Sequence, residues 1–305
     1  MLTRNLRKLW SKSKGTDFMD NTEEIIDALQ QASVEIYDHV KSGEGLKLLK
    51  SSNSSGDGQI GLDIFADNSF RERLSKLDSV SRVVSEEGDD LEKIRDAPFS
   101  IALDPIDGSK SALVGIPCGA IFAIFQSVET VQDFCGKNTV GAGFFVFGIN
   151  LELYIATKSG VTLFEYDKEK SIWHRKNEYH SIAEKSIISI NASARPNWSE
   201  GLRLAYDEIM LQGGNQRWYA SMVSDVKRLI IEGGAFAYPS NSKLGYDRGH
   251  LRLIYEAIPM AFLVEALSGA QSDGEVGILD LIPNELHEKV PVYLGTKKLV
   301  SKLTS

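Results

Sequence analysis

Apolar residues recur at helical spacing near the start of the chain. Between Thr22 and about Val40 they fall three or four positions apart, which predicts an amphipathic helix with one buried face. Asn21 and Glu24 resemble a capping box, so we expect the helix to begin there. The stretch from Ser42 to Gly58 is rich in Gly and Ser and predicts a mobile loop. A second helix should follow, with buried positions at Ile64, Phe65, Leu74 and Leu77.

The centre of the chain consists of short apolar runs that are typical of β-strands. The predicted central strands are Arg82 to Ser85, Phe99 to Leu103, Cys118 to Gln126, Gly141 to Phe147, Glu152 to Thr157 and Val161 to Tyr166. The predicted later strands are Ile187 to Asn191, Phe236 to Tyr238, Leu251 to Tyr255 and Val292 to Leu294. The predicted later helices are Ser199 to Leu211, Met222 to Ile231, a helix from near Pro259 to near Gly269, and a last helix at the C-terminus. This alternation favours a layered α/β sandwich of two packed halves, each with its own sheet.

Composition and charge narrow the range of functions. The 305 residues are 42% hydrophobic and 25% charged, which is typical of a globular protein, and the net charge is −8. An acidic chain has no basic field to attract a nucleic-acid backbone, so we expect no nucleic-acid partner. The longest near-apolar run, Ala112 to Phe125, is interrupted by Gly and Pro and is shorter than the roughly 20 residues that a bilayer needs. We therefore expect no membrane segment.

The cysteine content bears on the compartment. Cys118 and Cys135 cannot make a disulfide framework, so they favour a reducing, cytoplasmic setting. The basic start of the chain leaves an organellar location open.

Acidic residues accompany apolar runs at four places. Asp57 and Asp63 form the first, and the others are the segments Arg82 to Glu87, Ser100 to Ser109 and Leu251 to Glu256. One such junction alone is more often a strand that ends at solvent. If the four converge, their carboxylates repel one another unless cations neutralise them. Hard divalent ions prefer oxygen ligands, so the pattern predicts a Mg²⁺ site, with Mn²⁺ or Zn²⁺ as alternatives.

The most specific segment is Asp104-Pro105-Ile106-Asp107-Gly108-Ser109. We expect Pro105 to fix a turn that aims both carboxylates at one point, where the Ile106 carbonyl can join them. Gly108 permits close backbone approach, and a helical turn beginning here would offer the N–H groups of Gly108 and Ser109 to an anion. A metal site beside a phosphate site predicts metal-assisted transfer of a phosphoryl group to water.

This segment, with Gly119-Ala120-Ile121-Phe122 downstream, resembles the signature of the Li⁺-sensitive, metal-dependent sugar phosphatases. Arg217 to Val226, Gly233 to Pro239 and Leu251 to Met260 resemble the branch of fructose-1,6-bisphosphatases and sedoheptulose-1,7-bisphosphatases. The resemblance spans approximately Thr22 to the C-terminus. It implies a layered α-β-α-β-α sandwich with mixed sheets and a phosphoric monoester hydrolase.

The same resemblance divides the chain into three parts. Residues 1–21 form an N-terminal tail, and residues 22–180 form a half that contains the metal motif and a vestigial regulatory-type region. Pro98 and Phe99 replace the Lys-Tyr pair that is usual in AMP-inhibited members, so we expect no AMP inhibition through that site. Residues 181–305 form the half that binds the sugar bisphosphate.

The resemblance also assigns roles to single residues. It implies metal ligands at Asp57, Glu86, Asp104, Asp107 and Glu256 and at the Ile106 carbonyl. It implies that Asp63 and Glu87 relay a proton from the attacking water. The substrate-binding residues that it implies are Gly108, Ser109, Asn191, Arg217, Ser221, Met222, Tyr238, His250 and Arg252. Arg217 is expected to reach the site of a neighbouring subunit in a homotetramer or homodimer.

Departures from the family pattern concern the far end of the substrate. Trp218 and Ala194 stand where tyrosines for the distal phosphate are usual, and His250 stands where a lysine is usual. These changes favour hydrolysis of the 1-phosphate of sedoheptulose 1,7-bisphosphate, with fructose 1,6-bisphosphate as the alternative substrate. A catalytically silent regulator that binds sugar phosphates is a further alternative. An inositol-phosphate phosphatase is disfavoured by the segment around Glu256.

Overall fold

The start of the chain forms a long helix and a small pair of strands. The computed structural model describes residues 16–43, 48–52, 58–157 and 160–305. Helix α1 spans Thr16–Ser42, so it begins before the predicted capping box, and Asn21 lies inside it. Strand β1 (Leu48–Ser52) lies within the predicted loop and pairs antiparallel with β2 (Gly58–Ile60), which begins at the end of that loop. Composition gives no signal for this pair, because backbone hydrogen bonds to a neighbouring segment hold it together.

The second helix, α2, spans Gly61–Leu74. Its buried apolar positions follow one face, at Leu62, Ala66, Phe70 and Leu74. Ile64 lies on the other face and is 40% exposed, so its predicted burial is wrong. The four-residue spacing of the buried positions explains the error, because it leaves Ile64 half a turn away from that face.

A seven-stranded sheet contains every predicted central strand, and its strands lie side by side in chain order. They are β3 (Val80–Ser85), β4 (Phe99–Asp107), β5 (Cys118–Gln126), β6 (Thr139–Phe147), β7 (Leu151–Thr157), β8 (Gly160–Asp167) and β9 (Ile172–Tyr179). The first pair is parallel and the others are antiparallel. The sequence analysis missed β9, because this edge strand is polar and only partly buried.

A second, five-stranded sheet lies in the later part of the chain. Its strands are β10 (Ile187–Ser189), β11 (Asn215–Arg217), β12 (Ala235–Tyr238), β14 (Ala270–Ser272) and β16 (Val292–Gly295). A separate short pair consists of β13 (Leu251–Arg252) and β15 (Lys289–Val290). The order in the sheet is β11-β10-β12-β16-β14, with β10 parallel to both neighbours and β16 antiparallel to both. Strands β11 and β14 are short and carry no apolar run, so the sequence pattern did not indicate them.

The remaining helices are α3 (Ser109–Ala112), α4 (Glu200–Leu211), α5 (Met222–Glu232), α6 (Ile258–Ala266) and α7 (Lys297–Leu303). Short 3₁₀ turns span Val131–Asp133, Gly136–Asn138, Ala192–Asn197, Ser242–Leu244 and Ile278–Asp280. Helices α4 to α7 confirm the predicted later helices to within a few residues. No helix in the described ranges is long and apolar enough to cross a lipid bilayer.

Three apolar clusters arrange these elements in five layers. Helices α1 and α2 cover one face of the seven-stranded sheet. Helices α5 and α6 fill the space between its other face and the five-stranded sheet. Helices α4 and α7 cover the outer face of the five-stranded sheet. The layers confirm the predicted α-β-α-β-α sandwich with mixed sheets.

The predicted strand Leu251 to Tyr255 is wrong beyond its second residue. Only Leu251 and Arg252 pair with another strand, and the chain then enters a π-helical turn, Leu253–Ala257, which leads into α6. A short apolar run fits a buried strand and a buried helical turn equally well, so the pattern alone could not distinguish them.

Candidate active site

Asp104 and Asp107 lie in β4, which is buried along its whole length. In a regular strand, residues three apart point to opposite faces. Here Asp104 pairs with Ile121 while Asp107 pairs with Gly119, so β4 contains one extra residue between them. This β-bulge, and not the predicted proline turn, lets both carboxylates reach one site. A bulge also accommodates Pro105, which has no N–H for the ladder.

The start of α5 holds the Asp107 carboxylate. The Ser221 hydroxyl donates to it at 2.8 Å, and the backbone N–H groups of Met222 and Val223 donate at 3.1 Å and 2.9 Å. The first N–H groups of a helix have no partner within the helix, and the helix dipole favours a negative charge there. Asp107 is therefore fixed in orientation by three donors from another part of the chain.

Two glycines allow β4, β5 and α5 to approach this closely. Gly108 has φ of +80°, and a Cβ there would lie 2.9 Å from the Cβ of Ser221. A Cβ on Gly119 would lie 2.0 Å from the carbonyl oxygen of Phe145 and 2.8 Å from a methyl group of Val223. Any larger residue at Gly119 would therefore displace the start of α5 from the sheet. As expected, a helical turn, α3, begins directly after Gly108.

Two further acids come from distant parts of the chain. Glu256 lies in the π-helical turn, and its carboxylate accepts the backbone N–H of Arg252 at 2.7 Å. Glu86 follows β3, and its carboxylate forms an ion pair of 2.6 Å with the buried Arg252 guanidinium. Oxygen atoms of Asp104, Asp107 and Glu256 all lie within 4.8 Å of one another.

Burial and mutual repulsion oppose the ionisation of these acids. Burial, and then the neighbouring carboxylates, raise the pKa of Glu86 and of Asp104 well above their ordinary values. Burial also raises the pKa of Asp107, although its three hydrogen bonds act in the opposite direction. Burial raises the pKa of Glu256 to about 7, against the attraction of Arg252. One arginine does not balance four carboxylates, so a divalent cation with oxygen ligands fits this set.

The acids line a cleft of about 390 Å³. What we call the acidic wall consists of Asp63, Glu86, Glu87, Asp104, Asp107 and Glu256. The permanently charged cations in the lining are Lys110 and Arg252. What we call the aromatic wall consists of Trp218, Phe236, Tyr238, Tyr246 and His250. A phosphate group needs more positive charge than the two cations supply beside the acidic wall, which again favours bound metal ions.

The rings of the aromatic wall contact one another. Tyr238 lies 5.7 Å from Trp218 and 5.2 Å from His250, measured between ring centroids. The Tyr246 ring lies 4.3 Å from the His250 ring, also between centroids. His250 therefore contacts two tyrosines in the lining of the cleft.

The structure brings most of the sequence-predicted site residues to this cleft. The residues that line it are Asp63, Glu86, Glu87, Asp104, Ile106, Asp107, Gly108, Ser109, Ser221, Met222, Tyr238, His250, Arg252 and Glu256. Arg252 lies among the acids, and Met222 is also part of the core. The individual roles of these residues remain predictions.

Two predicted residues within the described ranges do not line the cleft. Asn191 lines a smaller chamber beside it, which shares Tyr238 and Tyr246 with the cleft. Arg217 is exposed, and its guanidinium donates to the Asn215 side chain and to the Gln216 carbonyl. Asp57 lies outside the described residues, so its predicted role remains a prediction.

The sequence analysis missed Asp225, which is fully buried on α5 and lines the cleft. Both of its carboxylate oxygens accept the backbone N–H of Tyr219, at 3.3 Å and 3.2 Å. The next residue, Ala220, has φ of +58°, a conformation that is costly for a residue with a side chain, and its carbonyl accepts the Ser111 hydroxyl at 3.3 Å. Asp225 therefore holds the strained segment before Ser221. The sequence did contain a signal for Asp225, because this acidic residue stands on the apolar face of a predicted helix.

Comparisons with known proteins agree with this geometry. The family model described as "Fructose-1-6-bisphosphatase, N-terminal domain" matches residues 9–178, and the model of the C-terminal domain matches residues 182–305. The chain belongs to the fructose-1,6-bisphosphatase family. The protein is therefore a phosphatase, as the resemblance implied, and metal dependence is typical of this family.

Two relatives and one solved structure show how far the similarity extends. A class 1 fructose-1,6-bisphosphatase of Nitrobacter hamburgensis is 34% identical over 92% of this chain and 86% of its own. One from Cereibacter sphaeroides is 32% identical over 83% and 80% of the two chains. The holo structure of Leishmania major fructose-1,6-bisphosphatase superposes with a TM-score of 0.90 at 25% identity and covers 99% of this chain and 97% of that one.

Proposed function

We propose that the protein hydrolyses the 1-phosphate of fructose 1,6-bisphosphate with Mg²⁺ as cofactor and releases fructose 6-phosphate and inorganic phosphate. The observation that carries the proposal is the convergence of Asp104, Asp107 and Glu256, with oxygen atoms within 4.8 Å of one another. The names of the relatives support fructose as the sugar. They give no support to our preference for sedoheptulose 1,7-bisphosphate, which rested on three substitutions in one part of the site.

The ligand set suits the cofactor. Glu86, Asp104, Asp107, Glu256 and the Ile106 carbonyl would hold Mg²⁺, since this ion takes carboxylate and carbonyl oxygens together with substrate phosphate. Bound there, the ion would lower the pKa of water and offset negative charge on the phosphoryl group. The raised pKa values of the four acids give the reason for the fit, because a cation relieves their mutual repulsion.

The protein's own side chains then position the reactants. Asp63, in the first turn of α2, and Glu87, just after β3, line the cleft and are the carboxyl groups proposed to accept and pass on the proton of the attacking water. The first turn of α3 and Lys110 would bind the phosphoryl oxygens. Arg252 keeps Glu86 in place through their ion pair.

The sugar would extend from the acidic wall to the aromatic wall. Met222, Tyr238 and His250 line this part of the cleft and can contact the sugar and its far phosphate. Arg217 is exposed, which suits the proposal that it completes the site of a second subunit in a homotetramer or homodimer.

The test is phosphate release by the purified protein in Mg²⁺ from fructose 1,6-bisphosphate, sedoheptulose 1,7-bisphosphate and inositol 1-phosphate. We expect the largest kcat/KM for fructose 1,6-bisphosphate and little turnover with chelator. A larger kcat/KM for either other compound would reject the proposed substrate. Binding of a bisphosphate without turnover would reject the proposed activity.

A further inference from the structure

Asp225 is an acid on a face of α5 that is otherwise suited to an apolar side chain. It is fully buried, as are Val226 and Leu229 on the same helix. Burial raises the pKa of its carboxyl to about 7, against the hydrogen bonds from Ser189 and Tyr219, so the charged form is costly here. A leucine would bury the same face without that cost. The acid therefore indicates a role other than packing.

Asp225 holds residues 219–221 at both ends of this short segment. Both oxygens of its carboxylate accept the Tyr219 N–H, at 3.3 Å and 3.2 Å, and its own N–H donates to the Ser221 carbonyl at 3.0 Å. Ala220, between the two contacts, has φ of +58°, which a residue with a side chain disfavours. These contacts keep the segment in a conformation that its own backbone would not choose.

A rigid frame fixes Asp225 in turn. The Ser189 hydroxyl, at the end of β10, hydrogen-bonds to its carboxylate. The buried Arg228 guanidinium donates to the Ser189 hydroxyl at 3.1 Å and to the carbonyls of Gly233 and Ala235 at 2.8 Å and 3.2 Å. Asp225 is therefore tied to β10 and β12 of the five-stranded sheet.

The 219–221 segment leads directly into the donors that hold Asp107. The Ser221 hydroxyl and the N–H groups of the next two residues donate to the Asp107 carboxylate. A shift of the segment would move these donors relative to β4, and the carboxylate would move with them. Asp225 can therefore influence the cation site although it lies outside the ligand set.

We propose that Asp225 is a positioning residue of the metal centre: it holds the 219–221 segment in place and thereby fixes Asp107 for the shared cation. This inference rests on the proposed function, because it assumes that a divalent cation binds at the acidic wall. The affinity for that cation then depends on an acid that is not one of its ligands.

The test compares variants that differ in what they offer to the segment. Asp225→Leu removes both acceptors and places an apolar side chain of similar size on α5. Asp225→Asn keeps one oxygen that can accept the Tyr219 N–H. Ala220→Gly, added to Asp225→Leu, removes the cost of the positive φ, because glycine adopts it freely.

The control is Lys227→Met, which breaks the ion pair between α5 and Glu152 and removes no contact of the 219–221 segment. For each protein, the Kd of Mn²⁺ is measured by calorimetry, with Tm as a check on folding. Phosphate release from fructose 1,6-bisphosphate gives kcat and the Mg²⁺ concentration for half-maximal activity.

We expect Asp225→Leu to weaken Mn²⁺ binding about three- to tenfold, less than the roughly 10- to 100-fold that follows loss of a direct partner of a metal ligand. The Mg²⁺ concentration for half-maximal activity should rise by a similar factor, with kcat at saturating Mg²⁺ less affected. Asp225→Asn should lose less than Asp225→Leu, and Ala220→Gly should restore part of the loss. Lys227→Met should match the original chain.

An unchanged Mn²⁺ Kd in folded Asp225→Leu would overturn the inference. An equal loss in Lys227→Met would also overturn it, because any disturbance of α5 would then suffice. So would a loss that neither Asp225→Asn nor Ala220→Gly reduces, since the hold on the segment would not be its cause. Mn²⁺ binding without turnover by the original chain would reject the proposed function, and the Kd values would then decide the inference separately.

Discussion

The two walls of the cleft are built in different ways. Backbone N–H groups fix two central acids of the acidic wall: the start of α5 holds Asp107, and the N–H of Arg252 holds Glu256. The aromatic wall consists of side chains whose rings contact one another, such as His250 with Tyr238 and with Tyr246. The difference indicates that the metal chemistry depends on the fold itself, whereas substrate choice depends on side chains that can change without disturbing it.

The comparison of the two walls predicts that, among the variants considered, Asp107→Asn lowers the activity most. The amide keeps the shape of the side chain but removes a charged metal ligand. Even the loss of a group that hydrogen-bonds to a metal ligand lowers metal affinity or activity about 10- to 100-fold. We expect kcat/KM to fall by at least about 100-fold. Phosphate release measures it, with the exposed Asp90→Asn as the control. Near-normal turnover of Asp107→Asn would show that the acidic wall is misassigned.

The second-largest loss of activity is expected from Gly119→Ala. This variant tests whether the backbone around Asp107 holds the acidic wall in place. The added methyl would clash with the Phe145 carbonyl and Val223, so α5 should shift and release Asp107. Overpacking of this kind costs about 1–3 kcal/mol in stability. We expect a lower Tm, and a loss of kcat that extra Mg²⁺ partly restores.

A matched control for Gly119→Ala is Gly148→Ala, where a new Cβ would meet its neighbours at an ordinary 3.6 Å. Equal behaviour of the two variants in both assays would mean that the close approach at Gly119 does not matter for the site.

Part of the acidic wall could be predicted from the sequence. The acids at strand ends and the Asp104 to Ser109 segment predicted a shared cation site, since converging carboxylates repel one another and a cation relieves the repulsion. The bulge between Asp104 and Asp107 was not predictable, because it depends on the register with β5. Nor was the π-helical turn that carries Glu256, because an apolar run does not specify backbone geometry.

The aromatic wall was less predictable than the acidic one. Tyr246 belongs to no motif that the sequence analysis used, and only the folded chain shows that its ring contacts His250 and lines the cleft. Asp225 could have been noticed as an acid within the apolar face of α5, but its contact with Tyr219 depends on the tertiary fold.

The acidic wall should also make stability depend on pH and metal. The pKa of Glu256 is raised to about 7 from its ordinary 4.5, so the metal-free protein should lose stability as pH rises through this range. Mg²⁺ binds the ionised acids, so it should raise Tm by several degrees at about pH 8 and by much less at about pH 5. Thermal melts with Mg²⁺ and with chelator measure this. Equal shifts at the two pH values would contradict it.

The smallest effect is expected from His250→Lys on the aromatic wall. A fixed positive charge beside Tyr238 and Tyr246 should change KM for the two ketose bisphosphates by a few-fold, about 1 kcal/mol, without altering kcat or the Mg²⁺ requirement. Steady-state kinetics with both substrates measures the ratio of their KM values. A change in Mg²⁺ requirement would mean that the walls are not independent.

The most direct measurement is equilibrium binding of Mn²⁺, a divalent ion that can be counted by its magnetic resonance signal, to the original chain and to Asp104→Asn, Asp107→Asn and Glu256→Gln. If the three acids hold a shared ion, each substitution should weaken binding by about tenfold or more, while Asp90→Asn should not. Unchanged Mn²⁺ binding in all three variants would contradict the account.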